Sequence, residues 1–226
     1  MKKFVKMNKI DMINILKINS KNLPQKVIKE VVEIIKAGGV IVCPTDTVYG
    51  LICDAANKRA VERIFKIKKR PKGKPIPIFV KNIKMAKKFV KLNKKQEKFL
   101  KNNKITAVLK VKNQAKKVFP GGIISSEDKI GIRIPNYKPI NNLFKKLKFP
   151  LTGTSANISG KLAPTRIKEV LKQFQKEKIQ PDLILDAGNL KPSKPSMVID
   201  LTNKTPKILR LGSVSKKQLK YLIFDT

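Results

Sequence analysis

Four stretches of the chain gather the side chains that could do chemistry. Pro44-Thr45-Asp46-Thr47-Val48-Tyr49-Gly50-Leu51 sets hydroxyls, a carboxylate and a phenol directly after the apolar run from Val40 to Cys43. Lys68 to Pro75 is a basic cluster broken by proline and glycine, and Gly131-Ile132-Arg133-Ile134-Pro135 is an apolar stretch whose one charge is an arginine. Thr154-Ser155-Ala156-Asn157-Ile158-Ser159-Gly160 packs hydroxyls, an amide and glycine after another apolar run. Hydroxyl and backbone N–H donors at the end of a strand suit phosphate oxygens. An arginine on a buried strand is costly unless an anion pairs with it, and that anion is either a protein acid or a ligand carboxylate. Each stretch taken alone also has a plainer reading: a solvated lysine turn for the basic cluster, a Ser/Thr/Asn turn for the last.

The composition sharpens the weight of the arginines. Lys and Arg number 52 against 15 Asp and Glu, a formal net charge of +37, yet only six of the basic residues are arginine. With abundant Asn and Ile, and neither Trp nor His, the lysine excess resembles codon bias toward A and T as much as a selected polyanion surface. A chain that drifts to lysine wherever a plain cation serves should keep arginine where the planar bidentate fork matters. Arg59, Arg63, Arg70, Arg133, Arg166 and Arg210 are therefore candidates to clamp phosphate or carboxylate. The lack of histidine excludes Ser-His and Cys-His nucleophile systems and every histidine-containing metal site. Cys43 and Cys53, ten apart in apolar surroundings, read as buried free thiols of a reducing compartment. The N-terminal residues carry charges through their apolar positions, unlike a signal peptide, and no run approaches the length of a membrane span. A cytoplasmic protein without membrane association is expected.

Strands and helices alternate, as they must to bring those four stretches together. Helices are expected from Pro24 to Ala37, after an Asn57 cap, over Ile83 to Val90, Lys94 to Lys101, Pro139 to Leu147, Arg166 to Gln175 with a Thr165 cap, and from Ser215 through Tyr221. Strands are expected at Val40 to Cys43, Ile76 to Val80, Ile105 to Val111, Ile130 to Pro135, Phe149 to Thr152, Leu183 to Asp186, Met197 to Leu201 and Ile208 to Leu211. Residues 112–129 read as a loop, and residues 1–22 stay ambiguous between strand and helix. The alternation predicts an α/β fold with a twisted mixed sheet, the length of 226 residues favours one large domain or two small ones, and the hydroxyl-rich and basic loops together suggest a cleft where an anionic, nucleotide-like ligand meets a smaller acid. No Walker loop or dinucleotide fingerprint is present, so generic motifs do not establish nucleotide binding.

Six ordered matches from about Pro24 to Leu211 resemble the YrdC/Sua5 family of threonylcarbamoyl-AMP synthases. They are Pro44 to Leu51, the K-x-R of Lys68 and Arg70 with Pro71 and Pro75, the G-x-R-x-P of Gly131 to Pro135, Thr154 to Gly160, the P-S-x-V-x-D of Pro195 to Asp200, and the L-R-x-G of Leu209 to Gly212. The resemblance implies an enzyme that joins L-threonine, bicarbonate or CO2, and ATP into threonylcarbamoyl-adenylate and pyrophosphate, a nucleotidyltransferase feeding the t6A modification of tRNAs that read codons beginning with A. It implies the family's fold, a twisted mixed α/β sheet flanked by helices around a large basic central cleft, in the shorter, single-domain form over residues 1–226 with residues 1–23 as a flank. Mapped by motif, Thr47, Arg133, Gly153 and Ser196 would hold threonine, while Lys68, Arg70, Lys74, Ser155, Asn157 and Arg210 would hold ATP. Positioning and charge, rather than an acid or base, would carry catalysis, and Mg2+ is expected with the triphosphate, Asp46 being a candidate indirect ligand. The partner downstream would be the transferase that passes the group to tRNA, with RNA contact left open by the charge. Phe79 stands where some members have a threonine-contacting histidine, Lys129 where a threonine precedes G-x-R, and Met197 within the usual S-T-V. The competing reading is a non-enzymatic RNA-binding or ribosome-assembly protein, for which Ser155 and Asn157 would be dispensable. A carbamoyl-transfer domain of the hydrogenase-maturation type shares the fold family but would bring zinc-finger and acylphosphatase segments that this chain lacks.

Overall fold

The computed structural model describes residues 13–20, 23–102, 104–212 and 214–215. The expected helix from Ser215 through Tyr221 lies almost wholly outside these residues. Two mixed sheets, not one, organise the chain. The first orders β1 (Asn14–Lys17), β9 (Leu183–Asp186), β2 (Ile41–Cys43), β3 (Gly50–Ile52) and β8 (Thr154–Ser155). The second orders β11 (Lys207–Arg210), β10 (Met197–Asp200), β5 (Ile105–Lys110), β6 (Lys129–Arg133), β4 (Ile78–Phe79) and β7 (Leu151–Thr152).

Seven helices cover these sheets: α1 (Gln25–Lys36), α2 (Lys58–Lys68), α3 (Ile83–Phe89), α4 (Lys94–Lys101), α5 (Asn113–Val118), α6 (Lys138–Lys146) and α7 (Ile167–Phe174) among the described residues. In α2 the Asn57 side chain accepts from Ala60 N, as its position before an apolar-periodic run predicts, and Val61, Ile64 and Ile67 point inward. Helix α1 buries Ile28, Val31, Val32 and Ile35 against β2, β9 and α6, in a cluster that also holds Ile41, Leu143 and Leu183. A larger cluster lies between the two sheets and α2, α4 and α7, from Val42 and Leu51 through Ile64 to Phe99, Ile132 and Phe174.

Several expectations are corrected. The segment expected as a loop at 112–129 contains α5, whose Ala115 is buried and whose neighbour Phe119 packs on Phe89 at a centroid distance of 4.8 Å. Helix α7 is capped at Arg166, with Glu169 accepting from the backbone N–H of Thr165 and Arg166, so the carboxylate supplies the cap that Thr165 was expected to give. The ambiguous N-terminal segment places β1 parallel to β9, with Ile15 opposite Ile184.

The chain crosses from one sheet to the other within three residues. Leu151 and Thr152 pair with β4, Thr154 and Ser155 pair with β3, and Gly153 is the joint between them. A Cβ at Gly153 would lie 2.4 Å from Phe79 Cε1, so the crossing needs a residue without a side chain. Cys53 N and Thr152 Oγ1, 2.9 Å apart, bind the two sheets at the same point. The sheets thereby splay around a shared cavity.

Candidate active site

That cavity has a volume of about 630 Å3. Its walls come from all four motif stretches: Thr45 and Thr47 after β2, Arg70 after α2, Lys129, Gly131 and Arg133 on β6, and Thr154 and Ser155 on β8. Strands β10 and β11 close it with Ser196, Val198, Asp200, Leu209 and Arg210.

One end is built around Arg133. Its guanidinium Nη2 lies 2.7 Å from Asp46 Oδ1, and its Nη1 donates to Thr47 Oγ1 at 3.3 Å. The face of Phe79 lies under it, with the guanidinium carbon 5.6 Å from the ring centroid. Burial pulls the Arg133 pKa down from the ordinary arginine value, and the Asp46 carboxylate opposes that. The loop that delivers these groups is held by Thr45, whose Oγ1 accepts from Thr47 N and Val48 N and donates to Val48 O. Tyr49 turns the other way: its phenol donates to Gly188 O and accepts from Ala187 N, serving the packing rather than the cavity. Ser196 lies across from this end, with Oγ 2.9 Å from Thr106 Oγ1. Sequence reasoning gave Thr106 no role in the site, although its place on an alternating strand put it on the cavity face.

The other cationic centre is built from Lys68, Arg70 and Arg210, none of which pairs with a carboxylate among the described residues. Arg70 donates to the carbonyls of Lys74 and Pro75, and Arg210 to Ser196 O at 2.6 Å. Lys68 is 2% exposed and passes beneath the Ser155–Asn157 turn. Its ammonium donates to the carbonyls of Ser155 and Asn157 and to Asn157 Oδ1, while Ser155 Oγ donates to the same amide oxygen. Asn157 in turn donates to the carbonyls of Ile158 and Lys161. Burial, then the nearby Arg70 and Arg210 charges, push the Lys68 pKa down to about 7. Arg70 is lowered by burial and by Arg210 as well. Like charges held together without a counterion raise the free energy of the empty site and lower it when an anion enters.

The structure therefore brings Thr47, Arg70, Arg133, Gly153, Ser155, Ser196 and Arg210 to one cavity. Lys68 and Asn157 sit behind its wall and shape the turn that carries Ser155. The Lys74 side chain is exposed and lines none of the cavity; only its carbonyl takes part, as an acceptor for Arg70. Sequence reasoning missed Asp46 as the partner of Arg133, because 87 residues separate them and no spacing links them. It also missed an ion cluster at the far wall, where Lys129 Nζ lies 2.7 Å from Glu127 Oε2 and 3.2 Å from Asp200 Oδ2.

The fit of Mg2+ to these residues can be judged from their partners. No group of three or more acidic, cysteine or histidine side chains with metal-binding placement occurs among the described residues. Asp46 is engaged by Arg133, and the two carboxylates of the far wall by Lys129. The residues present do not build a magnesium site of their own. No described helix is long and apolar enough to cross a membrane.

Comparison with known proteins agrees with this geometry. A threonylcarbamoyl-AMP synthase assignment, qualified as putative, is carried by a Methanocaldococcus jannaschii protein that is 35% identical over 199 residues, covering 84% of this chain and 90% of that protein. The crystal structure of P. abyssi Sua5 complexed with L-threonine superposes with a TM-score of 0.81 at 28% identity, covering 94% of this chain and 61% of that one. The chain thus spans under two thirds of that relative. E. coli YciO, an uncharacterised protein, superposes with a TM-score of 0.80 at 30% identity, covering 92% of this chain and 99% of that one. The family model described as telomere recombination, the Sua5/YciO/YrdC domain, matches residues 33–212, and the chain belongs to that family.

Proposed function

We propose that the chain is a threonylcarbamoyl-AMP synthase, a nucleotidyltransferase acting on L-threonine, bicarbonate or CO2, and ATP. The observation that carries this reading is the pairing of two unlike cationic centres in one cavity. Arg133, balanced by Asp46 and flanked by the Thr47 hydroxyl, suits a small hydroxy amino acid with a carboxylate. Lys68, Arg70 and Arg210, balanced by nothing, suit a polyphosphate. Similarity to relatives alone does not choose this activity, since the uncharacterised YciO aligns as well as threonine-bound Sua5.

The chemistry asked of the site is modest. The threonine amine adds to CO2 and loses a proton, giving a carbamate. A carbamate oxygen then attacks the α-phosphorus of ATP in line, the bond to the bridging oxygen breaks, and pyrophosphate leaves with the electron pair. Both nucleophile and leaving group are anionic, so alignment and charge neutralisation do most of the work and no histidine is required. Arg133 and Thr47 fix the threonine end, Arg70, Arg210 and Ser155 fix the phosphates, and Lys68 holds the turn that presents Ser155. We place the expected Mg2+ on the triphosphate itself, and no step is assigned to it. The product is a mixed anhydride, so a downstream transferase acting on tRNA is the partner we assign, in the cytoplasm. Pyrophosphate release in the presence of ATP, threonine and bicarbonate tests the reading: release that requires all three supports it, and no release, or release indifferent to threonine, overturns it.

A further inference from the structure

Strand β11 ends the six-stranded sheet, and among the described residues it pairs with β10 alone. Its outer edge therefore presents a row of backbone N–H and C=O groups that another strand can pair with. The register shows how its side chains divide. Val198 faces Arg210 while the next residue, Ile199, faces Ile208, so Leu209 is an extra residue bulged out of the pairing. Lys207, Leu209 and Arg210 line the cavity, whereas Ile208 and Leu211 do not. One face of the strand is thus cationic and belongs to the cavity rim, and the other is apolar.

All four residues of β11 are exposed, and Leu211 directly after it is 74% exposed. Ile208, Leu209 and Leu211 make up half of the large apolar side chains exposed among the described residues, the others being Ile15, Leu162 and Ile179. Such a concentration on an open sheet edge marks a docking surface. Charge decides between its occupants. From 201 to 224 the sequence has no Asp or Glu, against Lys204, Lys207 and Arg210 at this edge, and the whole chain carries +37. A second copy would bring lysine against lysine, the usual protection of an edge from self-pairing. A strand with carboxylates at alternate positions instead meets Lys207 and Arg210 on one face and lays apolar side chains over Ile208 and Leu211 on the other.

We propose that β11 is the docking edge for an extended acidic segment of another protein, added as a further strand with its carboxylates on the cavity side. The docking rests on β11 and not on turnover, but the synthase reading gives it a use: the product is a mixed anhydride that water destroys, and a protein that consumes it gains by seating at the cavity rim. Hydrogen exchange of the full chain, read by mass spectrometry over residues 206–212, tests the proposal with a blocked peptide of alternating glutamate and valine as the probe. The peptide should slow exchange of the strand, and added salt should weaken the effect. The same peptide with lysine for glutamate, or with serine for valine, should bind at least about tenfold more weakly. Ile208→Glu and Lys207→Glu should each lower the affinity about threefold or more, with melting temperatures near that of the wild type. No slowing by the glutamate and valine peptide overturns the proposal, as does equal slowing by the lysine or the serine peptide, or an affinity unchanged in either variant. Protection that grows with the chain's own concentration would assign the edge to a second copy, and exchange in the dilute free chain as slow as that of β5 would assign it to another part of this chain; either result also overturns the proposal. Peptide binding without pyrophosphate release would leave the docking edge standing and remove the synthase reading.

Discussion

Arg133 and Asp46 form a buried ion pair at the mouth of the sheet crossing, 2.7 Å apart, with side-chain exposures of 4% and 12%. Such a pair is a weak source of stability but is costly to break from one side, because the survivor is left as an unpaired buried charge. Asp46→Asn is expected to destabilise the fold by about 3–5 kcal/mol for this reason. L-threonine, by supplying a carboxylate to Arg133, should raise the melting temperature of that variant more than it raises that of the wild type. A smaller shift in the variant would show that Arg133 does not receive the carboxylate.

Arg133→Ala removes the clamp itself. The Michaelis constant for threonine should rise by the equivalent of about 1.5–3 kcal/mol, with that for ATP little changed. Steady-state kinetics with each substrate varied in turn reads this split, and equal losses for both substrates would contradict the assignment.

Asn157→Ala tests the support behind Ser155. It deletes an acceptor of the Lys68 ammonium and two donors that pin the turn to Ile158 and Lys161. A loss of about 1–3 kcal/mol in stability is expected, with weaker nucleotide binding and unaltered threonine binding. Thermal melts and nucleotide titration measure both.

Lys68 gives a pH dependence with a defined sign. Its pKa in the empty protein is about 7, against 10.5 for an ordinary lysine, so the unfolded chain holds an extra proton between those values. Stability conferred through this residue therefore increases as pH rises from about 7 toward 10.5. Nucleotide binding runs the other way, since phosphates favour the protonated amine. At pH above about 7 the binding of ATP should take up protons and weaken with rising pH. Calorimetry in buffers of different ionisation enthalpy reads the uptake, which should be absent from Lys68→Met.

Gly153→Ala addresses the joint between the sheets. The added methyl would meet Phe79 Cε1 at 2.4 Å and Cδ1 at 2.5 Å, and Phe79 is itself buried beneath Arg133. A destabilisation of about 1–3 kcal/mol with weakened threonine binding is expected. Denaturant unfolding together with the threonine Michaelis constant would check it.

Local signals carried far in this chain, and long-range ones did not. Asn57 ahead of an apolar-periodic run marked α2, and the scarcity of arginine picked out six residues, of which Arg70, Arg133 and Arg210 line the cavity while Arg59, Arg63 and Arg166 do not, Arg63 pairing with Asp182 and Arg166 with Glu169. The division into two sheets escaped because β7 and β8 have two residues each, too few for any periodicity, and are parted by a glycine whose reason lies in Phe79. Helix α5 escaped for the same cause, with six residues and one fully buried position. The sequence marks Lys68 as a charge but gives no sign that its ammonium turns inward to three acceptors on a loop 87 to 89 residues away. The Asp46–Arg133 pair is likewise a product of folding alone.

The most direct measurement is mass spectrometry of the purified protein's reaction with ATP, L-threonine and isotopically labelled bicarbonate. The account predicts threonylcarbamoyl-adenylate carrying one labelled carbon, formed together with pyrophosphate and lost when any substrate is omitted. Pyrophosphate and AMP without the labelled adenylate, or no consumption of ATP at all, would contradict it.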